Sequence, residues 1–212
     1  YISMLAPIPH VRVYSLSCSS EAESLMEQAL EEYYQDCSRG RTPVTTVFFL
    51  GRENFPRYYH SSESSPTLGK EYRLGQAQML HDNASAFHKS VTVLASGTLV
   101  PQALAAAELL AADGIGTIVV HASCVNQPDT DLLANVLSHT DQMLVTVEDH
   151  RVMGGMGALM AHALALKGVT VRLCSLGVGD EFGQSAYNAL DLYKKHGMDS
   201  AAIVEAAKGL VN

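Results

Sequence analysis

Three stretches carry residue types able to do chemistry. Gly51-Arg52-Glu53-Asn54-Phe55-Pro56 follows one apolar run, Glu148-Asp149-His150 closes another, and Gly154-Gly155-Met156-Gly157 opens an apolar segment rich in Ala and Leu. The guanidinium fork of Arg52 can take two phosphate oxygens through charge-assisted hydrogen bonds, while a surface pair with Glu53 is the commoner use of such an arginine. Glu148, Asp149 and His150 are of the types that serve general acid and base work or bind a metal. Adjacent residues of an extended chain point to opposite sides, so the three converge only through a tight turn; a turn network bracing the glycine run is the simpler use. Gly154, Gly155 and Gly157 can offer bare amides at a helix start to an anion. The full G-x-G-x-x-G spacing and the lysine of a P-loop are both missing, which favours close backbone packing against a neighbouring strand or a second subunit.

The remaining candidates are weaker. The other eight histidines, His121 among them, show no H-x-x-x-H pair or other ligand spacing and read as surface or satisfied core residues. Cys18, Cys37, Cys124 and Cys174 stand far apart without a C-x-x-C pair, so they read as reduced, mostly buried thiols of a cytoplasmic protein. No Gly-x-Ser-x-Gly elbow is present.

The elements that must position these residues follow from pattern. Val11 to Tyr14 alternates as a strand, Ser20-Glu21-Ala22-Glu23 has the S-x-x-E form of a helix start, and the helix should run to about Tyr34. Val44 to Leu50 is a β-branched and aromatic strand between Thr42-Pro43 and Gly51. Ser-rich, aperiodic sequence then predicts a linker over 58–80, dividing an N-terminal unit (1–57) from a larger domain (81–212). In the larger domain strands at Val91 to Ala95, Ile115 to His121, Gln142 to Glu148 and Val169 to Leu176 alternate with helices at Pro101 to Ala112, Asp131 to Leu137 and Met156 to Leu166. Helical stretches at Tyr187 to Lys195 and Ala201 to Lys208 close the chain. The expected fold is α/β: a three-layer α/β/α sandwich with a mostly parallel sheet, preceded by a partial α/β unit. All three chemical stretches then lie at C-terminal strand ends, where open α/β sheets place ligands.

A chain of 212 residues that is 47% hydrophobic can bury a substantial core. Its net charge of -8 and scattered Lys and Arg argue against nucleic acid as a partner. Its apolar runs fall far short of the roughly 20 residues that cross a bilayer, so no membrane span is expected. The N-terminus lacks an initiating Met and the regions of a signal peptide, and reads as a cut chain.

Leu144-Val145-Thr146-Val147-Glu148-Asp149-His150 followed by Gly154-Gly155-Met156-Gly157 resembles the C-terminal domain of transketolases. Tyr72-Arg73-Leu74-Gly75-Gln76-Ala77, Val91 to Gly97, and the run from Leu176-Gly177-Val178 to Tyr193-Lys194-Lys195-His196-Gly197-Met198 extend the likeness over nearly the whole chain. The resemblance implies that residues 1–57 are the tail of a pyrimidine-binding domain and 81–212 the complete C-terminal domain. It implies a cytoplasmic enzyme of the pentose phosphate pathway that moves two-carbon ketol units between sugar phosphates with thiamine diphosphate and Mg2+. Arg52 matches the family's phosphate-contacting arginine, with Gly51 where the family usually has Ser. The thiamine-binding half, the activating glutamate and the substrate histidines lie outside this chain, so no cofactor, metal or catalytic residue is expected here and the chain alone should be inactive. What remains for it is assembly, as a homodimer or with a thiamine-binding N-terminal half. Glu148, Asp149, His150, Gly154, Gly155 and Gly157 are the expected dimer contact, which Gly155→Trp should disrupt.

Deoxyxylulose-phosphate synthases and beta subunits of two-oxo-acid dehydrogenases share this domain order, and the Glu-Asp-His form looks closer to transketolases. Two readings of other classes stay open: a non-catalytic regulatory or interaction subunit, and a small anion-binding enzyme acting through Arg52 and the glycine run.

Overall fold

A computed structural model describes residues 1–51, 54–59 and 72–212. The larger domain is built on a five-stranded sheet of order β3-β5-β4-β6-β7, from Gln78–Asp82 (β3), Lys89–Ala95 (β4), Ile115–His121 (β5), Met143–Arg151 (β6) and Arg172–Val178 (β7). The last four are mutually parallel, and β3 runs antiparallel along β5 at one edge.

Alternation of side chains along each strand divides the core into two halves. Val91, Val93, Ala95, Val119, Val145 and Val147 face helices α3 (Val100–Ala112) and α7 (Ser200–Val211). Leu94, Ile118, Val120 and Leu144 face α4 (Thr130–Ser138) and α5 (Met156–Leu166). The expected three layers are therefore present. Helix α6 (Ala189–Lys195) adds Tyr193 to the first half-core.

The front unit comprises a short helix α1 (Ile2–Leu5), strand β1 (Val11–Ser15), helix α2 (Ser19–Ser38) and strand β2 (Thr45–Phe49). Its sheet has two parallel strands, registered from Val11 against Thr45 to Ser15 against Phe49. The chain just after β5 completes β1's free edge: Ser15 N donates to the Ser123 carbonyl and Val125 N to the Val13 carbonyl, each at 2.9 Å. Tyr14, Leu16, Cys18 and Leu25 of the front unit share a third core with Tyr72 and Cys124.

The predicted elements depart from these in physically readable ways. The S-x-x-E motif at Ser20 does not cap α2; the N-cap is Cys18, and Glu21, rather than Glu23, turns back to accept from Ser17 N at 2.7 Å. β6 continues three residues past Glu148, with a register irregularity against β7 between Val147 and Arg151. β3 begins at Gln78, inside the stretch read as linker; most of that stretch, 60–71, lies outside the described residues. Among the described residues no helix is long and apolar enough to cross a membrane.

Candidate functional site

The two units meet at the C-terminal ends of their strands, leaving a cavity of about 230 Å³. Ser15 and Leu16 line it from the end of β1, Gly51 from beyond β2, Thr98 from the 3-10 turn ahead of α3, and Asp149 and His150 from the end of β6. Gly51 suits the place: a Cβ there would press on the Phe55 ring and the Thr98 methyl. Arg52, the next residue, lies outside the described residues.

Glu148, Asp149 and His150 point three ways. Glu148 is buried, and its two carboxylate oxygens accept from the backbone N–H groups of Met156 at 2.6 Å and Gly157 at 3.0 Å. It thereby satisfies two free donors at the start of α5 and places a negative charge at the positive helix end. Burial nonetheless pushes its carboxyl up to about 7, against the two amide bonds that favour ionisation and with a smaller push from Asp149. Asp149 accepts from the Thr98 hydroxyl at 2.8 Å, and His150 Nε2 pairs with the Ser3 hydroxyl at 2.9 Å. Burial lowers the His150 pKa. Strict alternation would send Asp149 and His150 to opposite faces; the irregularity in β6 lets both border the cavity.

The glycine run meets its own chain. At Gly155 a Cβ would fall inside contact distance of Glu148 Oε2 and the Arg151 carbonyl, and at Gly157 it would overlap the Thr146 hydroxyl. Gly154 takes φ +73°, a left-handed turn that L side chains rarely adopt. Turn-bracing by Glu148 and close backbone packing against strands β6 and β7 thus describe this region.

Hydroxyls from Ser15 and Thr98, one carboxylate and one imidazole give the cavity donors and acceptors suited to hydroxyl groups. Ser15 and Thr98 carry no sequence motif that marks them; only the meeting of two units does. Among the described residues no group of three or more His, Cys, Asp or Glu could hold a metal ion. Among the described residues the cavity lining offers one carboxylate and no Lys or Arg, which does not fit a diphosphate-bound Mg2+.

Comparison with known proteins places this geometry in a family. The family model described as transketolase, C-terminal domain, matches residues 83–203. The transketolase of Rattus norvegicus is 34% identical over 143 residues, 67% of this chain and 22% of that protein. A 1-deoxy-D-xylulose-5-phosphate synthase of Caldanaerobacter subterraneus is 31% identical over 204 residues, 96% of this chain and 29% of that protein. The chain thus spans well under half the length of these curated relatives. A solved structure described as a split gene transketolase, inactive beta4 tetramer, superposes with a TM-score of 0.78 at 24% identity, covering 99% of this chain and 60% of that one, and so shares the fold. With the family model matching more than half its residues, this chain belongs to the transketolase C-terminal domain family.

Proposed function

We propose that the chain is the C-terminal portion of a thiamine-diphosphate-dependent transketolase, moving two-carbon ketol units between sugar phosphates once joined to a thiamine-binding half. The observation that carries this reading is the front unit. Its two-stranded parallel sheet is completed on the β1 side by residues 123–125 but has no further strand beyond β2 among the described residues, which favours added strands from a partner half. The front unit brings Gly51 to the cavity beside the C-terminal domain. Arg52 is the proposed contact for the substrate phosphate. When bound, thiamine diphosphate with Mg2+ would supply carbanion chemistry from the partner half. This chain's share is to close and orient the site.

Reconstitution tests the proposal. The purified chain should show no ketol transfer with added thiamine diphosphate and magnesium, and activity should appear on adding the thiamine-binding half. Turnover by the chain alone would refute the division of labour. The alignment covering 96% of the chain, with a deoxyxylulose-phosphate synthase, favours a second reading. Formation of deoxyxylulose phosphate by the reconstituted enzyme, in place of ketol transfer, would select it.

Assembly is the second proposed role, through a face around Glu148, Asp149, His150 and the glycines 154, 155 and 157. Beside them a groove of about 500 Å³ is bordered by Val152, Met153, Ala158, Leu173 and Val178. Met153, on the border of this groove, is exposed, and exposed apolar surface of this kind marks subunit contacts. Gly155→Trp would collide first with the chain's own Glu148, so Met153→Glu is the cleaner probe. This charge should weaken self-association by roughly 2 kcal/mol or more. Sedimentation velocity reads it, and an unshifted monomer–dimer balance would count against this face.

A further inference from the structure

Glu21 and His121 are each fully buried and stand 100 residues apart in sequence, one at the start of α2 in the front unit, the other the last residue of β5 in the larger domain. His121 Nε2 lies 2.9 Å from Glu21 Oε1, and Nδ1 lies 3.3 Å from the Ala95 carbonyl at the end of β4. A carbonyl and an ionised carboxylate only accept hydrogen bonds, whereas a neutral imidazole has one N–H to give; a ring protonated at both nitrogens serves both partners. Glu21 Oε2 also accepts from the backbone N–H of Ser17 at 2.7 Å and from its hydroxyl at 3.0 Å.

The other titratable groups around this carboxylate are the Cys18 thiol and the Tyr59 and Tyr72 hydroxyls, all pushed up by burial and so uncharged near neutral pH. Burial also works against the Glu21 charge, but His121 and the Ser17 bonds outweigh it and hold this carboxyl below its ordinary range. The segment held in this way matters to the site. Leu16 lines the 230 Å³ cavity and, with Cys18, Gly51 and Phe55, a neighbouring one of about 210 Å³; Ser17 sits between them in the chain.

We propose that Glu21 and His121 form a carboxylate–imidazolium joint that fixes the β1–α2 turn against the ends of β4 and β5, making both of them positioning residues of the inter-unit cavity. The proposal does not rest on which reaction the complete enzyme performs. Nitrogen NMR of the whole 212-residue chain tests it at pH 7. Both ring nitrogens of His121 should show imidazolium shifts in the unmodified chain. In Glu21→Gln the side-chain amide can donate to Nε2, so the ring should become neutral. Amide exchange at Ser17 and in the first turn of α2 should then quicken about tenfold to a hundredfold, with exchange at Val119 and Val145 unchanged. A neutral ring in the unmodified chain overturns the joint, as does a variant whose exchange rises evenly or not at all. If the variant fails to fold, the spectrum of the unmodified chain alone decides.

Discussion

Gly155→Ala should cost this chain about 3–5 kcal/mol, the sum of one buried overlap and one damaged helix start. The backbone at Gly155 is extended and any residue can adopt it, so the effect is one of space alone. The new methyl would enter volume held by Glu148 Oε2 and the Arg151 carbonyl. Moving the carbonyl means moving β6, and moving the carboxylate strips the bonds it accepts from Met156 and Gly157. Either way a buried polar group loses its partner. For a domain of this size such a loss lowers the thermal midpoint by roughly 6–20 °C, which calorimetry or circular dichroism would show. Gly168→Ala is the control for the assay, since a Cβ there meets nothing within 4 Å, although its φ of +79° will carry a smaller strain penalty of about 1 kcal/mol. Equal losses at the two positions would refute the packing argument.

Stability should also depend on pH through Glu148, and in the direction opposite to most carboxylates. The carboxyl has its ordinary value of 4.5 in the unfolded chain and about 7 in the folded one. Between these values the folded chain binds more protons at this site, so stability falls as pH rises from 4.5 to 7 and levels off above. The shift corresponds to about 3 kcal/mol. Glu148→Gln removes the titration while keeping the shape and one acceptor oxygen. Relative to the unmodified chain, the variant should therefore gain about 3 kcal/mol on going from pH 4.5 to pH 8. Urea denaturation at several pH values measures this difference. A constant gap between the two proteins would show that the folded carboxyl titrates normally.

Much of the fold was open to sequence reading because buried strands and amphipathic helices announce themselves by period. Ile115–His121 and Met156–Leu166 have the predicted bounds. β3 was not legible: Gln78-Met79-Leu80-His81-Asp82 is a half-buried edge strand that follows a Ser-rich stretch, and its pairing with β5 is antiparallel in a domain whose rhythm predicts parallel strands. At the site, the three adjacent residues do not all converge, since Glu148 turns into the fold to accept from Met156 N, but the irregularity in β6 that brings Asp149 and His150 to one cavity was not legible. The pairing of Glu21 with His121 left no local trace. His121 lacks ligand spacing because its partner lies 100 residues away, and Glu21 sits beside a better-looking capping residue, Glu23.

That separation also has a temporal side. During synthesis Glu21 leaves the ribosome 100 residues before His121, and at about 5–20 residues per second this is an interval of about 5–20 s. For that time β1 and α2 are present without Ser123, Val125 and the imidazole that later secure them. A carboxylate meant for the interior waits in water, and Tyr14 and Leu25 have only their front-unit neighbours, Phe48 among them, to pack against until Cys124 is made. The front unit should therefore settle fully only after β5 is made, and slowing translation between α2 and β5 should lengthen its exposure to proteases and holdases.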